Sequence, residues 1–263
     1  MRCLLNDDND MTKMRKKPNH SLINGSGAKL AAQIRKNNGY GSNFKEHPWA
    51  DSRVESEQCG LEAHHIITTK NLDTPQWKKY REAYEYDINS WENGVMFPSE
   101  PDIACQASTH VHRSNHNGGI DFTSVKTKFW KGKDPSVEVK DDVATYLRGL
   151  DYKYIKAVYS DIDSIKQNAK SKVYCKPGNK EKFTLHMNQK SKAILAKLNS
   201  FLYTISTYGH DYSPVSKVGC AGGDSENKSK NRGYCEHRMK NTSHGILNHQ
   251  DNEIKQRTLK VGK

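Results

Sequence analysis

Apolar positions along this chain come in short bursts separated by polar stretches, and their spacing predicts a mixed α+β protein. In "GAKLAAQIRKNNG", good helix formers carry Leu30 and Ile34 four apart and stop at Gly39, which predicts a helix. "GLEAHHII" is a compact apolar burst interrupted by His64 and His65, and it predicts a strand. Pro75 then opens "PQWKKYREAYEY", where Trp77, Tyr80 and Tyr84 share one face at helical spacing. "NGVMF" gives a turn and a second short strand closed by Pro98. After Thr109 a third element carries His112 and His116, continued by the apolar stripe Phe122, Val125 and Phe129.

Beyond Pro135 the pattern changes. Val143, Leu147, Leu150, Tyr154, Val158, Ile162, Ile165 and Ala169 follow three- and four-residue steps, the mark of a long amphipathic helix with a break at Gly149. Ile194, Leu198, Phe201, Leu202 and Ile205 predict another. Four regions result: a polar, flexible lead over 1–26, a mixed segment over 27–135, a helical extension over 136–218, and a basic, largely flexible tail over 219–263. The stripes of the extension are read as core packing.

Charge narrows the function. Of 263 residues, 42 are Lys or Arg and 30 are Asp or Glu, a formal net charge of +12, so a polyanion such as nucleic acid is the leading partner. No run of about 18 apolar residues occurs, so no membrane span is expected. "MRCLLNDDNDMTK" turns acidic too soon for an export signal. The six cysteines are dispersed without a C-x-x-C pair, and free thiols are expected, a Cys220–Cys235 bridge being the alternative weighed. "NGSGAK" lacks the Lys-Ser/Thr of a phosphate loop, and no Gly-x-Ser-x-Gly elbow is present. Cys220, Cys235, His237 and His244 are spaced too irregularly to favour a second zinc site.

The chemistry gathers at the histidines. Adjacent residues of a strand face opposite ways, so His64 and His65 cannot do the same job. His112 and His116, four apart, share one face if their element is helical, and can reach one ion. Whichever of His64 and His65 faces that helix completes a three-imidazole site, and the other is left neutral to take a proton. His110 competes as a ligand, but only the His112–His116 step gives one helical face. Three ligands and an open position describe a catalytic metal, and with a basic surface the economical reading is phosphodiester hydrolysis.

"EAHHII…DINSWENGVMFP…HVHRSNH" resembles the HNH/endonuclease VII superfamily, in particular its Ala-His-His clade, and "GAKLAAQIRKNNGY" is similar to the helix that leads into that motif. The resemblance covers Gly27 to Trp130, so 27–135 is read as an HNH-type nuclease domain. It implies a ββα-metal (His-Me finger) core embedded in a mostly helical protein. By resemblance His64, His112 and His116 are metal ligands, His65 is the general base, and Asn93 is the middle asparagine that holds the loop and so the base. Asp87 and Asn89 are read as a turn cap and a loop brace. The implied cofactor is one divalent ion, Mg²⁺ or Zn²⁺, with Mn²⁺ and Ni²⁺ also compatible.

Arg113, Lys126 and Lys128 are candidate phosphate contacts, each weighed against a solvated charge; Trp77, Tyr80 and Tyr84 could stack on bases but fit a core better. The expected activity is a metal-dependent endonuclease, DNA favoured over RNA. The alternatives are an RNase, or a zinc-stabilised nucleic-acid-binding module without catalysis. The clade further implies a bacterial toxin or effector. It would be held in the producer's cytoplasm, delivered into a target cell by a secretion-system carrier without a signal peptide, and blocked by a cognate immunity protein.

Overall fold

A computed structural model describes residues 24–50, 58–99, 103–104, 107–112, 154–175, 179–206, 209–213 and 259–263. Helix α1 spans Gly27–Asn38. Its first turn is capped by the Ser26 hydroxyl, which accepts from Lys29 N, and it ends on Gly39 at φ 67°, a conformation that glycine reaches without strain. Strand β1, Leu61–His65, follows, then α2, Pro75–Tyr84, which starts with Thr74 as cap and Pro75 in its first turn. Strand β2, Gly94–Pro98, pairs antiparallel with β1, so that His64 faces Val95 and His65 faces Gly94. The two strands are not joined by a tight turn: residues 66–93, with α2 among them, lie between.

Alternation along the pair sorts its side chains. Glu62 and His64, with their partners Phe97 and Val95, share one face, while Ala63, His65, Gly94 and Met96 share the other. α1 covers the second face. Its Leu30 and Ile34 come so near Gly94 that a Cβ there would sit 2.6 Å from Leu30 Cδ1 and 2.9 Å from Ile34 Cδ1.

Two longer helices pack against this unit: α3, Tyr154–Lys170, and α4, Lys180–Asn199. Tyr154, Val158, Ile162, Ile165 and Ala169 are buried as the stripe predicts; Val143, Leu147 and Leu150 lie outside the described residues. α4 buries Phe183, Met187, Ile194, Leu195 and Leu198 but stops at Asn199, earlier than expected. Phe201 takes φ 54°, which turns the chain out of the helix, and Phe201 and Ile205 are buried from the segment beyond. Trp77, Tyr80 and Tyr84 are all buried, Tyr84 stacking on Phe183 with ring centres 4.6 Å apart, so this stripe is core rather than a platform for bases.

One continuous hydrophobic core joins α1, both strands, α2, α3 and α4, and it includes Leu259. The segment Leu259–Lys263 runs along the other edge of β2. Gly262 N donates to Gly94 O at 2.7 Å and Met96 N to Lys263 O at 2.8 Å, so β2 is hydrogen-bonded on both sides. Cys175 is disulfide-bonded, which corrects the expectation of free thiols at that position. No helix among the described residues is long and apolar enough to cross a membrane.

Candidate active site

The site is built where β1 ends. His64 is fully buried on one face of the strand, and its ring centre lies 5.4 Å from that of His112, the planes at 70°. His112 reaches this position from a stretch outside any helix or strand that hydrogen-bonds to the end of β2, His112 N donating to Pro98 O at 2.9 Å. His112 therefore does not itself sit in a helix. His116, Arg113, Lys126 and Lys128 lie outside the described residues, and so does the expected helix through His116.

Each of the two facing imidazoles has one nitrogen occupied. His112 Nδ1 lies 2.6 Å from Glu62 Oε2, and as a carboxylate only accepts, Nδ1 carries a hydrogen and Nε2 is the nitrogen left to face a cation. The Tyr154 hydroxyl has a single hydrogen and gives it to Ile66 O at 2.7 Å; toward His64 Nε2, 3.3 Å away, it must accept. His64 is thus the Nε2–H tautomer, with its lone pair on Nδ1. His64 Nδ1 and His112 Nε2 are both buried. Imidazole nitrogens fixed this way by outer partners suit a borderline divalent cation. Among the described residues no group of three His, Cys, Asp or Glu side chains converges on one point.

His65 is half-buried on the opposite face. Its Nε2 lies 3.2 Å from Asn89 Oδ1. That oxygen also accepts from Ser26 N at 2.8 Å, while Asn89 Nδ2 donates to Asn24 O at 3.0 Å, so the amide orientation is set and His65 Nε2 must be the donor. The lone pair falls on Nδ1. Burial lowers the His65 pKa below the ordinary imidazole value and His112 adds to this; the Asn89 hydrogen bond and Asp87 oppose it without prevailing. The ring is neutral at pH 7 and able to accept a proton. Asp87 caps the turn as expected, Oδ1 accepting from Asn89 N at 2.9 Å, whereas Asn89 does more than brace a loop: it holds His65.

Asn93 is fully buried and laces the loop after β1 to the start of β2. Its Nδ2 donates to Ile67 O and Ile88 O, and its Oδ1 accepts from Ile67 N at 2.9 Å and from the Ser191 hydroxyl of α4 at 3.0 Å. His110, the competitor for His112, points elsewhere: its Nε2 is 2.9 Å from Leu198 O and its ring lies against Phe201.

Glu62, Tyr154 and Ser191 were not singled out from sequence. Glu62 carried a faint signal, being two residues from His64 and so on its face. Tyr154 and Ser191 stood as polar atoms inside apolar helical stripes, and a buried hydroxyl needs a partner.

The comparisons with curated proteins and with solved structures each returned no match. Against family models, residues 46–120 match AHH, a nuclease family of the HNH/ENDO VII superfamily with conserved AHH. Ala63-His64-His65 in β1 is that triplet, and the segment that carries it, under a third of the chain, is thereby assigned to a nuclease family.

Proposed function

We propose that this protein is a metal-dependent endonuclease that hydrolyses phosphodiester bonds, DNA in preference to RNA. His64, His112 and His116 hold the cation, His65 serves as general base, and Asn93 fixes the loop between them. One observation carries the reading. Neighbouring imidazoles on opposite faces of β1 are held in defined tautomers, one with its ring beside His112 and the other oriented by Asn89.

Held by His64, His112 and His116, a divalent ion would supply neutralisation of the phosphate charge and stabilisation of the departing oxygen. Mg²⁺, Zn²⁺, Mn²⁺ and Ni²⁺ are all compatible with an imidazole-rich donor set. The protein supplies the rest. Nδ1 of neutral His65 takes the proton from the attacking water, and the Asn89 oxygen, on the far side of the ring, stabilises the imidazolium that results. Substrate is drawn in by the +12 net charge, with Arg113, Lys126 and Lys128 as phosphate contacts that position the strand without reading its bases. The biological setting we infer is a bacterial effector, delivered into target cells without a signal peptide and held in check by an immunity protein.

The test is supercoiled plasmid incubated with the protein, with and without EDTA, beside His65→Ala. We expect cleavage to be lost on chelation. His65→Ala should lose about 100-fold or more in rate, the range of a general base, while metal binding by calorimetry stays near the parent's. Cleavage that survives both treatments overturns the proposal. A protein that unfolds on chelation and never cuts is instead a zinc-stabilised binding module.

A further inference from the structure

We infer that Tyr154, from outside the segment that matches the nuclease family, is a positioning residue for the cation site and acts through His64. The inference rests on the reading of His64 as a cation ligand. An imidazole can bind an ion through either nitrogen, and which one is available depends on where the ring's hydrogen is held. On His112 that choice is made by Glu62, a residue of the same strand as His64. On His64 it is made by a phenol whose only hydrogen is committed to Ile66 O, the carbonyl two residues further along the chain. Tyr154 therefore reads both the ligand and the backbone that follows it, and leaves His64 Nδ1 as the coordinating atom.

The phenol is itself fixed by groups that touch neither histidine. Asn71 Nδ2 donates to Ile155 O at 2.6 Å, which pins the first turn of α3 to the loop after β1. The ring of Tyr203 meets that of Tyr154 edge-on at 5.9 Å, and the Tyr203 hydroxyl donates to Asp161, which also pairs with Lys197 of α4. Ser191 of α4 makes the corresponding contact with Asn93. His64 and Asn93, both fully buried, are thus held by hydroxyls from the two helices beyond the matching segment.

The experiment uses the full chain and two variants, Tyr154→Phe and Tyr203→Phe, each losing one hydroxyl from the same aromatic pair. Long-range ¹H–¹⁵N spectra of the metal-free proteins report the His64 tautomer, and calorimetry with Zn²⁺ reports affinity. We expect His64 to carry its hydrogen on Nε2 in the parent and in Tyr203→Phe. In Tyr154→Phe the two tautomers should mix, and Zn²⁺ affinity should fall about tenfold or more, as outer-partner losses do. Tyr203→Phe should keep the parent's affinity even if its thermal midpoint drops.

An Nδ1–H tautomer in the parent overturns the inference, and that measurement needs no variant to fold. So does unchanged affinity in Tyr154→Phe, or an equal fall in Tyr203→Phe. A His64→Ala protein that binds Zn²⁺ as tightly as the parent removes His64 from the ligand set, and with it the reading on which the inference stands. That result is separate from a failure of Tyr154 alone.

Discussion

At the scale of single residues, the chain uses the same side chain, histidine, for several unlike tasks, and the immediate partner decides which. His64 and His112 have their hydrogens held by Tyr154 and Glu62, His65 has its hydrogen on Asn89, and His110 is spent on a backbone carbonyl. His47 is a fourth case and a purely structural one. It is buried, its Nδ1 accepts from Trp49 N at 3.1 Å, and its ring lies between those of Tyr40 and Trp49. Burial, reinforced by the nearby charge of Lys263, pushes its pKa down to about 3, from an ordinary value of 6.5. With the folded value the lower one, the unfolded chain binds more protons between these limits. The stabilisation is therefore complete above pH 6.5 and is lost as pH falls toward 3. We expect the thermal midpoint of His47→Gln to fall less steeply than the parent's between pH 7 and 4.5; parallel profiles would mean that His47 does not carry this acid sensitivity. Sequence made the opposite facing of His64 and His65 legible, because strand alternation is local. The identity of each ring's partner was not, because Tyr154 lies 90 positions away from His64 and Glu62 lies 50 from His112.

At the scale of elements, boundaries with a local chemical cause were readable. Gly39 ends α1, and Thr74 with Pro75 starts α2, since caps and proline act on the adjacent turn. The end of α4 was not readable, because Phe201, Leu202 and Ile205 keep a helical spacing and Phe201 and Ile205 are nonetheless buried from beyond the helix. The second edge of β2 was equally hidden, being filled by Leu259–Lys263 from far along the chain. Gly94 shows why the pairing of α1 with the strands is exacting. Its backbone, at φ −126° and ψ 155°, is ordinary extended chain, so any residue could adopt it. What requires glycine is the approach of Leu30 and Ile34. Gly94→Ala is expected to destabilise the fold by about 1–3 kcal/mol, the usual cost of overpacking, read from urea midpoints. Since Leu30 is the nearer of the two obstacles, adding Leu30→Ala should cost less than the sum of the two changes. Strict additivity would show that the strain lies elsewhere.

At the scale of the whole molecule, the family match and the physical core have different limits. The match covers residues 46–120, whereas one core runs from Leu30 in α1 to Leu259. Phe183 of α4 covers Tyr84 of α2, Tyr154 of α3 closes over His64, and Ser191 completes the bonds of Asn93. A fragment of residues 1–150 loses all three, together with the hydrogen-bonded cover on the outer edge of β2. It exposes the apolar side of α2 and leaves Asn93 Oδ1 short of a bond in what remains of the interior, costs that the described elements left to it, a two-stranded sheet with two short helices, cannot offset. We therefore expect this fragment to show no cooperative thermal or urea transition in its near-ultraviolet circular dichroism, while the full chain unfolds in one. The fragment keeps 21 of the 42 Lys and Arg but 20 of the 30 Asp and Glu, so it should bind DNA more weakly than the full chain, and it should fail to cut it with Mg²⁺ or Zn²⁺ present. A fragment that unfolds cooperatively and cleaves plasmid at the parent's rate would make α3 and α4 an attachment to a self-sufficient nuclease. The loss of both properties together would make them part of the site, because the hydroxyls that set His64 and Asn93 reside there and nowhere in the matched segment.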